Sequence, residues 1–129
     1  MKKLLLILMF LFSSISLSQD WEIYATGANN ENLYFDKTTF RIIEGYRYIW
    51  ILVDYQKTIG QLKGKNVLSS KSYIKVDCAS LGSKTLQSHY YSLPMGKDLI
   101  GSNSNPKDNW HFSPPGSPNH HLISIMCKE

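Results

Sequence analysis

The chain has 129 residues, with 14 Lys and Arg against 10 Asp and Glu, a formal charge of +4. Setting aside Lys2 and Lys3 leaves twelve basic against ten acidic residues, a near balance that excludes the strongly basic footprint of a nucleic-acid binder. Two cysteines exclude a disulfide-dense scaffold, and their wide separation lacks the paired spacing of a structural zinc site.

The chain opens on Met1-Lys2-Lys3, continues with the apolar run Leu4 to Phe12, and reaches Ser16-Leu17-Ser18 before Gln19. A basic start, an apolar core and small residues two apart are the layout of a secretory signal peptide, here 1–18, with cleavage after Ser18. The apolar run is too short to span a bilayer, which takes roughly 20 apolar residues. No comparable run follows, so no transmembrane segment is expected in the mature chain. Residues 19–129 are about the size of one domain with a modest core. An exported chain meets an oxidising compartment, so Cys78 and Cys127 are expected to pair; two free buried thiols are the alternative.

Trp21 to Thr26 alternates apolar with polar and reads as a first strand. After the turn cluster Gly27 to Asn30, Leu33 to Phe35 reads as a short second strand. Asp36 to Thr39 reads as a turn, with the Asp36 carboxylate able to accept from the backbone ahead of it. Phe40 to Ile43 is a third short strand, and Glu44-Gly45 turns the chain into Tyr46 to Tyr55. That stretch is aromatic and β-branched throughout and reads as a central strand. One face carries Tyr46, Tyr48, Trp50, Leu52 and Asp54, the other Arg47, Ile49, Ile51, Val53 and Tyr55. Both faces are mostly apolar, so both are expected to be covered.

Gln56 to Lys65 is the most loop-like stretch. Ser70 to Cys78 and Ser83 to Ser92 alternate again and complete an antiparallel meander. In the second of these, Leu86 and Tyr90 are expected on one side and Thr85, Gln87, His89 and Tyr91 on the other. Lys97 to Asn109 is polar and loop-rich with a short edge strand near Leu99-Ile100, and Trp110 and Phe112 are expected to pin this segment to the body. Ser117 before Pro118 is a helix start, giving a short helix over Asn119 to Lys128 with Ile123 and Cys127 one turn apart. A helix that short needs docking. The whole is an α+β domain: about six mainly antiparallel strands with one C-terminal helix on a face, tethered by a disulfide.

Lys57, Lys63, Lys65, Lys71 and Lys75 crowd one loop and the strand after it, with Tyr73 between. Such a patch suits acidic glycans or an acidic protein surface, and equally a solvated loop and edge. Tyr48, Trp50 and Tyr73 share the face away from the helix, either as interface aromatics, with a homodimer as one outcome, or as core beneath the 97–109 loop. Asp54, Asp77 and His89 are the residues a small hydrolase would need to bring together. The four histidines include no pair at helical metal-ligand spacing. No metal or cofactor is expected.

The ordered set Trp21, Tyr34-Phe35-Asp36, Trp50 to Tyr55, Asp77-Cys78, Tyr90-Tyr91-Ser92, Met95-Gly96, Trp110, Pro115-Gly116-Ser117 and Cys127 resembles the surface-adhesin protein E family. The resemblance spans nearly all of residues 19–129. It implies a small antiparallel sheet with a disulfide-tethered C-terminal helix. It also implies an exported, non-enzymatic protein that binds host extracellular-matrix or plasma proteins. One position departs: Gln19 stands where lipid-anchored adhesins carry Cys, which favours a periplasmic or secreted protein over surface display. The alternative function is a structural or inhibitor-type protein of the cell envelope.

Overall fold

The computed structural model describes residues 19–104 and 109–128. The signal-peptide reading of 1–18 lies outside them. The strands are β1 (Trp21–Thr26), β2 (Asn32–Ile43), β3 (Tyr46–Asp54), β4 (Gln61–Leu62), β5 (Lys65–Asn66), β6 (Ser69–Asp77), β7 (Gly82–Leu93) and β8 (Lys97–Ser104), and one helix, α1 (Pro118–Met126), follows. Six of the strands form one sheet in the order β1-β2-β3-β6-β7-β8, every neighbouring pair antiparallel. The expected central strand β3 lies between β2 and β6, so its backbone groups are paired on both sides.

Helix α1 starts where the sequence places it. Ser117 caps it, its Oγ accepting from the His120 amide at 3.3 Å, and Pro118 stands in the first turn. Replacing Ser117 by Ala is expected to cost about 1 kcal/mol of stability in a urea titration. Leu122, Ile123 and Met126 are buried against Phe35, Ile49, Ile74 and Val76 of the sheet. Tyr24, Phe40 and Ile51 pack around this cluster, and burial pushes the Tyr24 phenol well above its usual range. Cys78 and Cys127 are joined, closing a loop with a sequence separation of 49. The Arg47 guanidinium lies 2.8 Å from the Cys78 sulfur, beside the bridge.

Several expectations are corrected. Leu33–Phe35 and Phe40–Ile43 are one strand, not two. Both ends of β2 pair with β3, and the register shifts between Asp36 and Arg41. Asp36 does bond the backbone ahead, its Oδ1 accepting from the Thr38 amide at 3.0 Å, but this closes a bulge within a strand. The edge strand around Leu99-Ile100 extends over Lys97–Ser104, because β7 offers it a full partner. The loop after β3 contains the two-residue hairpin β4–β5, turned by Lys63 and Gly64, both at positive φ. Phe112 is 64% exposed and anchors little. Thr85 stands opposite Ile74, on the helix side, for a reason that bears on the site.

Candidate interaction surface

The face of the sheet opposite α1 carries alternate residues of β3, β6 and β7. Cross-strand pairing sets Tyr48 opposite Lys75, Trp50 opposite Tyr73 and Leu52 opposite Lys71. On the next strand Lys71 is opposite His89, Tyr73 opposite Gln87 and Lys75 opposite Lys84. That last pair exists because the register shifts between Tyr73 and Ile74. The shift inserts one extra residue in β7, so Lys84 instead of Thr85 faces the open side. Strict alternation therefore misassigns Thr85 and passes over Lys84.

The aromatic side chains form a ladder. Tyr48 and Tyr73 have ring centroids 5.7 Å apart, Tyr73 and Trp50 5.0 Å, and Trp50 and His89 5.7 Å. Interplanar angles of 25° and 26° make the Tyr48–Tyr73 and Trp50–His89 pairs stacked, while the Trp50–Tyr73 pair is tilted at 31°. His89 is held from its other side by Ser102 of β8, Nδ1 to Oγ 2.6 Å. At the far end Trp110 stacks on Tyr46 at 5.9 Å and 24°, which makes it the anchor the sequence suggests.

The lysines lie on these rings. The Lys75 ammonium is 4.1 Å from the Tyr46 centroid, 5.9 Å from Tyr48 and 6.0 Å from Trp110. The Lys84 ammonium is 4.7 Å from the same Trp110 ring. Lys71 lies 5.6 Å from Trp21 and 5.3 Å from Tyr91, and donates to Gln19 Oε1 at 2.9 Å. Among the described residues the carboxylate ion pairs are Lys37–Glu22 at 3.1 Å and Lys65–Asp98 at 3.2 Å, neither on this face. Burial lowers the Lys71 pKa, and the charge of nearby Asp36 opposes that shift.

At the other end of this face Leu52 is covered, while Lys71 opposite it stays partly exposed. The 3-10 turn Pro94–Gly96 folds over Leu52, with the Met95 amide on Asp54 Oδ1 at 3.2 Å and the Gly96 amide on Ser69 Oγ at 2.9 Å. Gly96 has φ +70°, a left-handed conformation that favours glycine, and a Cβ there would also lie 2.4 Å from the Lys71 Cε and push that side chain aside.

The five lysines that sequence groups together separate in space. Lys71 and Lys75 share the open face with Tyr73, Tyr48 and Trp50. Lys63 is at the tip of the β4–β5 turn, and Lys65 is paired with Asp98. Asp98 also accepts from Ser92, and these two contacts hold its carboxyl below the ordinary range. Lys57 lines a cleft of about 470 Å³ with Asn29, Asn30 and Tyr55. Asp54 and Asp77 sit at opposite ends of the β3–β6–β7 region, facing Ser69 and Gly82 respectively, so the acidic residues of the hydrolase reading do not converge.

Residues 21–128 match the family model described as Surface-adhesin protein E. The fold is similar to that of Haemophilus influenzae protein E, with TM-score 0.63, 14% identity and 88% of each chain covered. A second crystal form of that protein aligns with TM-score 0.60 and 15% identity, over 88% of this chain and 96% of the other. Protein E from non-typeable Haemophilus influenzae aligns with TM-score 0.60 and 15% identity, over 85% of each chain. At such identities these likenesses concern the fold. No curated protein matches the chain by sequence. Because the family model covers almost the whole described chain, this protein belongs to the surface-adhesin protein E family.

Proposed function

We propose that this is an exported, non-enzymatic binding protein of adhesin type, and that the open face of its sheet holds the partner, a host matrix or plasma protein. The observation that carries the reading is the Lys75–Lys84 pair. Two ammonium groups stand directly opposite each other on neighbouring strands, over aromatic rings, with no carboxylate ion-paired to either among the described residues. Like charges so placed are unfavourable to the fold alone. Opposite charge on a partner relieves that cost, and aromatic side chains beside it are the residue types that anchor interfaces. Export is supported by the 1–18 pattern and by the Cys78–Cys127 bridge, which suits an oxidising compartment.

The test is binding of the disulfide-intact protein to immobilised laminin, vitronectin and plasminogen. Saturable binding is expected to at least one. Reversal of both Lys75 and Lys84 to Glu is expected to weaken it by about 30-fold or more, as for charge pairs worth ~2 kcal/mol at an interface. Reversal of Lys63 and Lys65 should leave it within about twofold, since rim and loop charges contribute little. Absence of binding to all three would turn the function toward a partner in the envelope.

A further inference from the structure

We infer that the group this face recognises is a sulfated glycan chain laid along β6; the inference rests on the open face being the partner-binding surface. Lys71 and Lys75 are four residues apart on β6 and on the same side of the sheet, roughly 13 Å at the usual strand rise. Lys84 widens the Lys75 end into a paired cationic station over Trp110 and Tyr46. Cations at both ends of one strand face, joined by a strip of polar aromatics, match a linear polymer bearing repeated anionic groups. Matrix and cell-surface sulfated glycans are such polymers and lie where an exported protein meets them.

Two competing polyanions fit less well. A single-stranded nucleic acid binds through bases stacked on free ring faces. Here Tyr73 already has Tyr48 and Trp50 as ring neighbours, and Trp50 has Tyr73 and His89. The stacking platform is used by the protein itself. An acidic peptide held by strand addition needs an open sheet edge. β6 has none, being paired to β3 on one side and β7 on the other. What the face offers is ammonium groups, with the tyrosine hydroxyls, Gln87 and Ser102 among its polar groups; these suit sulfate esters and sugar hydroxyls.

The experiment measures the affinity of the disulfide-intact protein for a heparin oligosaccharide, its desulfated counterpart and a single-stranded oligonucleotide of matching length. The variants are the double substitution Lys75→Gln with Lys84→Gln, and Lys57→Gln with Lys63→Gln, which removes the same charge from the loop. Thermal melts establish that both are folded, and Trp110→Leu serves as a second face variant that leaves every charge in place. Expected results are a loss of at least tenfold in heparin affinity for the face double, a loss of threefold or more for Trp110→Leu, and less than twofold for the loop double. Desulfated heparin should bind at least tenfold more weakly, and the oligonucleotide more weakly than heparin. Equal losses in the face and loop doubles, or indifference to sulfation, would reduce the effect to net charge and overturn the inference. Tighter binding of the oligonucleotide would overturn it in favour of nucleic acid. A dimer that the face variants dissociate without change in heparin affinity would give the face to a second copy. Loss of matrix-protein binding in the face double with heparin affinity intact would sink the glycan and leave the binding surface standing. Loss of heparin affinity in the face double with matrix-protein binding intact would support the glycan site and overturn the assignment of matrix-protein binding to this face.

Discussion

Replacement of both Cys78 and Cys127 by Ser is expected to lower stability by about 4 kcal/mol, the loop-entropy value for a closed segment of this size. For a domain of this length that corresponds to a fall in Tm of roughly 15–25 °C. The bridge does more than shorten the unfolded chain. α1 has nine residues, too few to hold a helix alone in water. Its place on the sheet rests on Leu122, Ile123 and Met126 and on the covalent tie at its C-terminal end. Without the tie, the helix is expected to open before the sheet. Hydrogen exchange should then show the amides of 118–126 losing protection at lower denaturant than those of β3 and β6. Uniform loss of protection across helix and sheet would mean that the apolar contacts alone keep α1 in the cooperative unit. Dithiothreitol on the wild-type protein should reproduce the double variant.

How much of this was legible in the sequence depends on whether local pattern or long-range pairing decides the outcome. The central strand, the helix with its Ser117-Pro118 start and the partner of each cysteine follow from local composition and from there being only two cysteines. The two faces of β3 follow from period-2 alternation, and Ile49 and Trp50 indeed lie on opposite sides, one in the core and one in the ladder. Bulges break that arithmetic. At Asp36 to Arg41 a polar stretch looks like a turn, yet both flanks pair with β3 and the strand continues. Around Leu86 one extra residue moves Thr85 to the helix side and Lys84 to the open side. No local signal in Ser83 to Ser92 marks it. Lysine density was equally ambiguous. Lys57, Lys63 and Lys65 look like neighbours of Lys71 and Lys75 in sequence, but the β4–β5 hairpin carries Lys63 and Lys65 off the face, and Lys57 lines the cleft beside Asn29 and Tyr55. The pairing of Lys65 with Asp98 joins residues 33 positions apart, beyond any local reading.

The Leu52 end of the open face can be tested through one side chain. Leu52 is fully buried although it belongs to the same face as Trp50, because the turn Pro94–Gly96 lies across it. Leu52→Ala is expected to cost about 3 kcal/mol, within the usual range for a buried leucine whose surroundings relax only in part. Ile42→Ala, at a residue 54% exposed, should change stability by less than about 0.5 kcal/mol. The consequence for the surface is electrostatic. A Cβ on Gly96 would sit 3.1 Å from a Leu52 methyl and 2.4 Å from the Lys71 Cε, so leucine, turn and lysine stem are packed against one another. Burial there is the main cause of the lowered Lys71 pKa. Truncating Leu52 opens space beneath the turn and admits water to the stem, so the Lys71 pKa should rise toward its ordinary value. Titration of the Lys71 side-chain resonances by NMR measures this directly. A folded Leu52→Ala protein whose Lys71 titrates as in wild type would show that the lysine is desolvated by Trp21 and Tyr91 instead, the two rings it overlies. In that case the turn only roofs the leucine, and the cationic station at this end of β6 is set by the aromatic residues, as it is at the Lys75 end.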